Sequence, residues 1–214
     1  MKLLLVSATQ LEIQPFISHF ELPGLSGTAA RHEIEVLVTG VGMVATAFNL
    51  GKVLSNGAFD LAVNAGIAGA FDRRLQPGDI VRVINDCLAE LGAEDGDAFI
   101  PVNELGFGDS TYVDSPGSLI SASFLGSLKP VSAITVNRIH GTEESIGSIV
   151  ARLNPQIESM EGAAFFYSCS QSGLPYIQIR SISNYVERRN RENWDIPLAV
   201  KNLNKCLIEL IDNI

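Results

Sequence analysis

Short apolar runs alternate with longer segments of helical periodicity along most of the chain. The runs are rich in leucine and β-branched residues, which favour strands, and they cover residues 3–8, 35–40, 61–66, 79–84, 132–136, 157–160 and 176–183. Apolar positions at helical spacing predict helices over residues 11–20, 43–54, 143–153, 161–172 and 196–211. Strands that alternate with helices in this way predict an α/β fold with a central, largely parallel or mixed sheet.

Residues 90–111 interrupt this alternation, because they are rich in glycine, aspartate and glutamate and have little periodicity. We predict a long loop there, of the kind that carries function or an oligomer contact. The sequence has no internal repeat, linker or low-complexity tract. We therefore expect a single domain over residues 1–214.

The length, composition and charge of the chain limit its class and the kinds of molecule that it can bind. With 214 residues, of which 46% are hydrophobic, the chain is long enough for one substantial core. A formal net charge of -9 gives no basic surface for nucleic acid, so a small-molecule partner is expected. The first apolar run is too short for a membrane span or a signal peptide. Three cysteines without CxxC spacing are typical of reduced thiols in a cytoplasmic protein.

Glu12 is the first candidate for chemistry, since it follows the first predicted strand and begins a predicted helix. Thr9 and Glu12 have the spacing of a capping box, in which the glutamate bonds the backbone at the start of the helix. Ligands of open α/β sheets, however, bind at the carboxyl ends of strands, which is where Glu12 lies. The sequence leaves both interpretations open.

A glycine turn occurs in TGVGMVATA, residues 39–47, between a predicted strand and a predicted helix. Gly40, Gly42 and Ala45 match the G-x-G-x-x-A fingerprint of dinucleotide-binding proteins, and Asp60 follows about twenty residues later. The turn follows the second strand rather than the first, and Asp60 begins a strand instead of ending one. The simpler interpretation is that the glycines let the backbone approach a ligand at a helix start.

Two further motifs are rich in small residues, and the second of them also carries a carboxylate. NAGIAGAF, residues 64–71, ends an apolar strand in small residues, which indicates either tight packing or room for a ligand beside the backbone. SMEGAAFF, residues 159–166, places Glu161 alone among apolar and small neighbours. A buried carboxylate without partners costs several kcal/mol, so Glu161 needs donors, and a ribose offers two hydroxyls.

The last motif, IRSISNYVERRNRENW, spans residues 179–194. A β-branched strand carries Arg180, Ser183 and Asn184 and leads into a polar loop. The arginines of that loop form either a solvated charge cluster or part of a ligand site.

The three histidines lie far apart in the sequence and form no HxH or HExxH set. We therefore expect no metal, and nothing in the motifs calls for a cofactor.

These motifs occur in the same order in the nucleoside phosphorylase and nucleosidase superfamily, which the chain resembles from end to end. Within it, GAEDGDAF at 92–99, SMEGAAFF and above all SNYVERRNRENW make the chain similar to bacterial futalosine hydrolases of menaquinone biosynthesis. The resemblance implies a three-layer fold with a central mixed β-sheet flanked by helices. It also implies hydrolysis of futalosine to hypoxanthine and dehypoxanthine futalosine, without a cofactor, by a homo-oligomer.

Roles for individual residues follow from the resemblance alone. Glu12 matches the glutamate that activates the attacking water, and Arg180 matches an arginine near both. Glu161 matches the ligand of the ribose hydroxyls, with Met160 beside the sugar. The other residues expected to bind substrate are Ala68 and Gly69 facing the base, together with Gly40, Ile67 and Ser183.

Two departures from the adenine-directed nucleosidases bear on the base. They have a serine where this chain has Ile67 and an aspartate where it has Asn184. An amide can donate to the oxygen of a 6-oxopurine and accept from the ring NH of the departing base, whereas a carboxylate opposes that oxygen. Such a mismatch costs about 1–3 kcal/mol, so Asn184 predicts hypoxanthine as the leaving group.

Water is the expected nucleophile, since Asn64 stands where related phosphorylases have an arginine that binds phosphate.

Three alternatives remain: a methylthioadenosine or S-adenosylhomocysteine nucleosidase, a dinucleotide-binding module, and a nucleoside-binding protein without catalysis. The sequence does not decide whether Arg138, His140 or the arginines near residue 188 bind the carboxylate of the 5′ substituent.

Overall fold

The computed structural model describes all 214 residues. The helices are α1 (Gln10–His19), α2 (Met43–Leu54), α3 (Ala122–Ser127), α4 (Glu143–Leu153), α5 (Gly162–Gln171) and α6 (Ile196–Ile211), with a 3-10 turn at Arg191–Asn193. The strands are β1 (Lys2–Ser7), β2 (Ser26–Ala29), β3 (His32–Val38), β4 (Leu61–Ala70), β5 (Ile80–Leu88), β6 (Gly92–Asp95), β7 (Ala98–Pro101), β8 (Thr111–Val113), β9 (Lys129–Thr135), β10 (Ile157–Ser159) and β11 (Tyr176–Tyr185). No helix has both the length and the apolar character needed to span a bilayer.

A nine-stranded mixed sheet forms the centre of the molecule. Eight strands follow the order β10-β9-β5-β11-β4-β1-β3-β2, and β8 pairs with β5. β1 is parallel to β3 and β4, and β4 is parallel to β11, whereas β5 is antiparallel to β11. β10 also pairs with β4, so β4, β11, β5, β9 and β10 form a closed ring. The predicted mixed sheet is confirmed.

The two faces of the sheet bury separate apolar cores. Leu3 and Leu5 of β1 pack in a cluster with apolar residues of α1 and α6, while Leu4 and Val6 pack in a second cluster with residues of α2 and α5. Successive side chains of a strand point to opposite faces, so one continuous apolar run supplies both cores. Helices therefore cover both faces, and the predicted three-layer arrangement is confirmed.

Parallel strands bring the sequence motifs to one edge of the sheet. β1, β3, β4 and β11 are related by parallel pairing and end at the same edge. Glu12 follows β1, the glycine turn follows β3, and the small residues of NAGIAG form the last half of β4. The carboxyl end of β11 carries Asn184.

The long loop predicted over residues 90–111 is confirmed for residues 102–110, which contain no helix or strand, but was wrong for the residues before them. β6 and β7 form an antiparallel hairpin there, and β8 begins at Thr111. The β6 residues are all exposed, so the hairpin has no buried face to impose an alternation of apolar and polar residues. β2, β8 and α3 are short and were missed for a similar reason, because they leave little periodic pattern.

A side-chain amide from α6 stabilises α1 around a proline. Pro15 lies inside α1 and has no N–H to donate to the preceding turn. The buried Asn204 bonds the adjacent turn at both ends: its Oδ1 accepts from Phe16 N at 2.8 Å, and its Nδ2 donates to Glu12 O at 2.8 Å. Asn204 thus ties the backbone of Glu12 to α6.

We expect Asn204→Leu to lower the free energy of unfolding by about 1–3 kcal/mol, because the buried Phe16 N–H and Glu12 C=O lose their side-chain partners. Urea denaturation followed by circular dichroism measures the change. Lys205→Ala, at the exposed neighbouring position, should stay within about 0.5 kcal/mol of the wild type. Equal midpoints for Asn204→Leu and the wild type would contradict a stabilising role for the amide.

Candidate active site

Glu12 is buried at the start of α1, and its two carboxylate oxygens accept hydrogen bonds from different partners. Oε2 accepts from Thr9 N at 3.0 Å and from Thr9 Oγ1 at 2.7 Å, which is the glutamate half of a capping box. Oε1 accepts from Ile67 N at 3.1 Å, at the far end of β4. The helix cap and the contact with β4 therefore coexist, because each uses a different carboxylate oxygen.

The side chain of Arg180, on β11, passes over Gly66 of the neighbouring strand β4 towards Glu12. Its side chain is fully buried, and a Cβ on Gly66 would overlap Nη1 of Arg180 and lie 3.1 Å from Glu12 Oε1. A glycine is required at position 66 because the guanidinium occupies the space of a side chain. The NAGIAG motif thus makes room for an arginine as well as for the backbone.

Glu161 is the N-cap residue of α5 and is also buried. Its Oε1 accepts from Gly42 N at 3.1 Å, and its Oε2 lies 3.7 Å from Arg180 Nη2. Gly42 has a φ of 98°, which favours glycine and directs its N–H at the carboxylate. Arg180 therefore contacts Glu161 with one end of its guanidinium and approaches Glu12 near Gly66.

A network of buried polar side chains accepts the hydrogen bonds of Arg180. Gln178 Oε1 accepts from Arg180 Nε at 3.1 Å and from Nη2 at 2.9 Å, and Asn64 Oδ1 accepts from Nη2 at 2.5 Å. Gln178 Nε2 donates to Asp86 Oδ2 at 2.9 Å, and Thr135 Oγ1 donates to Asp86 Oδ1 at 2.9 Å. Burial raises the pKa of Asp86 to about 6, although the hydrogen bonds from Gln178 and Thr135 oppose that shift.

The same network fixes the start of α5. A Cβ on Gly162 would overlap Asp86 Oδ2 and the Gln178 amide, which explains the glycine after Glu161 in the SMEG motif. Ala163 N donates to Thr135 Oγ1 at 2.7 Å. The position of Glu161 is therefore set by packing against buried polar groups on β5, β9 and β11.

Two residues expected to touch substrate are buried away from open space. Arg180 is 1% exposed and Ser183 is 2% exposed. The hydroxyl of Ser183 lies 3.2 Å from Ala68 O and 2.7 Å from Asn184 Oδ1. In this structure both residues hold neighbouring groups instead of facing a cavity.

Asn184 lies opposite Gly69, just after a register shift between β11 and β4. Its Nδ2 donates to Tyr185 O at 2.9 Å, and its Oδ1 accepts from Ser183 Oγ at 2.7 Å. A side-chain amide has two N–H donors and two acceptor lone pairs, so one of each is left over. The amide can therefore pair with both a donor and an acceptor of a ligand.

A cavity of about 370 Å³ opens beside Asn184 and Gly69, a volume in the range of small-molecule sites. Polar side chains form most of its wall, among them Glu90, Arg138, His140, Glu158, Arg189 and Asn190, with Ile139 and Trp194. Arg189 lines the cavity and stacks over the Trp194 ring, 5.3 Å from its centroid, although it is exposed like the other arginines of the loop. Glu12 and Glu161 do not line this cavity.

The partner of His140 is Glu158, which the sequence motifs do not mark. Glu158, on β10, accepts from His140 N at 3.1 Å, and its Oε2 lies 2.6 Å from His140 Nδ1. Burial raises the pKa of Glu158, an effect that His140 opposes. The sequence hint was a glutamate in an apolar run three residues before Glu161, but no local pattern links it to a histidine eighteen residues away.

The remaining sequence candidates fall in two places. Met160 is half-buried between β10 and α5, and Gly40, with a φ of 83°, donates its N–H to Ala8 O at the carboxyl end of β1. Asp60 accepts from Lys2 N at 2.7 Å, which places it at the amino ends of the strands, at the edge opposite the glycine turn. That position contradicts the dinucleotide-binding hypothesis.

Comparisons with known proteins agree with this geometry. The family model described as Phosphorylase superfamily matches residues 2–212. A futalosine hydrolase from Acidothermus cellulolyticus is 31% identical over 98% of this chain and 90% of the relative, and one from Streptomyces coelicolor is 28% identical over 98% and 95%. A 5′-methylthioadenosine/S-adenosylhomocysteine nucleosidase from Shewanella oneidensis is 25% identical over 87% and 81%.

Solved structures show the same fold. The native structure of futalosine hydrolase of Helicobacter pylori strain 26695 has a TM-score of 0.85 at 20% identity and covers 100% of this chain and 98% of its own. A Helicobacter pylori 5′-methylthioadenosine/S-adenosylhomocysteine nucleosidase also has a TM-score of 0.85, with 20% identity and coverage of 100% and 99%. The chain therefore belongs to the phosphorylase superfamily and, within it, to the family of the futalosine hydrolases.

Proposed function

We propose that this chain hydrolyses the N-glycosidic bond of futalosine, releasing hypoxanthine and dehypoxanthine futalosine, and so acts in menaquinone biosynthesis. The observation that carries the proposal is the amide of Asn184, which lines a cavity with an unused donor and an unused acceptor. The full-length likeness to futalosine hydrolases supports the same substrate.

Glu12 is the proposed general base. N-glycosidic cleavage builds positive charge on the ribosyl ring, and water attacks the face opposite the departing base. Glu12 takes the proton of that water, a role that contributes typically about 10²- to 10⁴-fold to the rate. Support comes from the position of its carboxylate at the end of β4, where Oε1 is bonded only by Ile67 N.

Glu161 binds the ribose hydroxyls and stabilises the developing positive charge, with Met160 beside the sugar. Its carboxylate accepts one backbone bond from Gly42 and one weak ionic contact from Arg180, which leaves lone pairs for two hydroxyls. Arg180 acts as a positioning residue. Its buried charge reduces the repulsion between the two carboxylates, and its ionic contact at 3.7 Å helps to position Glu161.

Asn184 stabilises the leaving base. Its free N–H donates to O6 of hypoxanthine, and its free lone pair accepts from the protonated N7. The carbonyl of Tyr185 only accepts, so its bond from Nδ2 fixes which end of the amide is the oxygen. Ala68 and Gly69 provide the backbone edge beside the base.

Hydrolysis is favoured over phosphorolysis by Asn64. Asn64 stands where related phosphorylases have an arginine that binds phosphate. Its Oδ1 accepts from Arg180 instead. A bound phosphate would lose a bidentate partner there. Water is therefore the proposed nucleophile.

Chromatography of the products in phosphate-free buffer tests the function. Futalosine, inosine and methylthioadenosine are offered separately, and we expect hypoxanthine from futalosine. Adenine from methylthioadenosine, with no base from futalosine, would instead establish the methylthioadenosine nucleosidase alternative and contradict the proposal.

Glu12→Gln should lower kcat for futalosine by about 10²- to 10⁴-fold with little change in KM, because the amide cannot take a proton from water. Steady-state kinetics measures both constants. The matched control is Glu33→Gln, an exposed glutamate on β3, which should keep full activity. A kcat within threefold of the wild type would exclude Glu12 as the base.

Asn184→Asp should lower kcat/KM for futalosine at least tenfold, since a carboxylate repels the purine oxygen that the amide N–H would meet. Asn56→Asp, at an exposed site far from the cavity, serves as the control. An unchanged kcat/KM for the Asn184 variant would show that this side chain does not bind the base.

We also propose a homo-oligomer in the cytoplasm. The three cysteines are free thiols, in accord with a reducing compartment. α2 carries a single charged residue, Lys52, and exposes Val44 and Phe48, while Val41 is exposed in the preceding turn. A helix that is apolar on its outer side is normally covered, and a second copy is the common partner of such a patch. The patch borders the turn whose Gly42 contacts Glu161.

Light scattering coupled to gel filtration tests this interface. We expect the wild type to have at least twice the monomer mass and Phe48→Glu to shift towards the monomer, because a charge at the contact must be desolvated. Val113→Glu changes another exposed apolar residue and should leave the mass unaltered. A wild-type monomer would refute the proposal.

A further inference from the structure

The cavity beside Asn184 has a second hydrogen-bonding group on its wall, the pair formed by His140 and Glu158. Glu158 pairs with Gly69 across β10 and β4, and a Cβ on Gly69 would lie 3.7 Å from Glu158 Cγ and 3.4 Å from Asn184 Nδ2. The two side chains therefore flank one bare stretch of backbone. A base lying against Gly69 would meet Asn184 on one side and the His140–Glu158 pair on the other.

The pair has a defined proton arrangement. Glu158 is 4% exposed, and His140 supplies both of its close partners, the backbone N–H at 3.1 Å from Oε1 and the ring Nδ1 at 2.6 Å from Oε2. A carboxylate only accepts, so Nδ1 carries the ring proton. In the neutral ring Nε2 is then an acceptor.

That acceptor is available to a ligand. Nε2 of His140 bonds no other residue of the chain and is not among the buried atoms that lack a partner, while His140 lines the cavity and its side chain is 14% exposed. Glu158 has both oxygens engaged by His140, so the imidazole, not the carboxylate, presents its lone pair. The carboxylate sets which nitrogen is protonated.

We propose that His140, held in one tautomer by Glu158, binds the N1–H of the 6-oxopurine and so selects hypoxanthine together with Asn184. This inference rests on the proposed function. A 6-oxopurine carries a hydrogen on N1, whereas adenine has a lone pair there, so the acceptor Nε2 matches one base and opposes the other. Asn184 and His140 thus contact opposite ends of the same polar edge. His140 is no longer available as an anchor for the 5′ carboxylate.

The first experiment uses the unaltered protein and free bases. Isothermal calorimetry compares hypoxanthine with 1-methylhypoxanthine, in which a methyl group replaces the N1 hydrogen. We expect at least tenfold weaker binding of the methylated base, since a site built around a hydrogen bond rejects an analogue that cannot form it. Equal affinities would overturn the proposal, whether or not futalosine is hydrolysed. Absence of hydrolysis would instead refute the proposed function.

The second experiment reverses the tautomer. In Glu158→Gln the backbone N–H of His140 still requires an acceptor, so the amide oxygen faces it and the amide nitrogen faces Nδ1. Nδ1 must then accept, and the proton moves to Nε2, which becomes a donor suited to the N1 lone pair of adenine. Nitrogen-15 spectra of the His140 ring follow this change directly.

We expect Glu158→Gln to lower the ratio of kcat/KM for futalosine to that for its 6-amino analogue by at least tenfold. Glu90→Gln, a carboxylate on the same cavity wall, is the matched control and should preserve the ratio. An unchanged ratio in a folded Glu158→Gln protein would overturn the proposal. So would a His140→Ala protein that loses activity on futalosine but not on inosine, because His140 would then serve the 5′ substituent.

Discussion

The guanidinium of Arg180 places a permanent positive charge inside the sheet, and an unpaired charge there would cost several kcal/mol. An arginine cannot shed its proton, so the surrounding groups must satisfy it. Gln178 and Asn64 accept its hydrogen bonds, and Glu161 supplies a nearby negative charge. The guanidinium constrains the site around it, because Glu161 lies 3.7 Å from its Nη2 and Gly66 leaves the space that it occupies beside Glu12.

The same constraint explains two glycines that look interchangeable in the sequence. Gly66 leaves the space that the Arg180 side chain occupies, and Gly162 leaves the space in which Asp86 meets Gln178. Neither glycine needs a positive φ. Their small size serves the buried polar network, whereas Gly42 needs its positive φ to direct an N–H at Glu161. The same buried residues therefore determine both the packing of the core and the positions of the polar groups in the site.

Closure of the sheet assembles the cavity beside Gly69. The pairing of β10 with β4 brings Glu158 next to Gly69, while the register shift in β11 brings Asn184 to the same glycine. Residues 69, 158 and 184 thus meet although long stretches of chain separate them. The two carboxylates, by contrast, come from different places: Glu12 follows β1 and contacts its parallel neighbour β4, whereas Glu161 follows β10 and contacts the glycine turn after β3.

The sequence by itself determined the alternation of strands and helices, because burial on both faces of a sheet and on one face of a helix leaves distinct periodicities. It also marked Glu12, Glu161 and Asn184, since polar residues at the ends of apolar strands stand out locally. Short or exposed elements such as the β6–β7 hairpin left no such pattern and were not found.

Only the tertiary structure decided which polar groups meet. It showed that Arg180 and Ser183 are buried and support other side chains, that Asp60 lies at the opposite edge of the sheet, and that Glu158 fixes His140. The physical reason is that periodicity reports how much of each residue is buried. The partner of a buried polar group depends on strand order and register, which couple positions far apart in the chain.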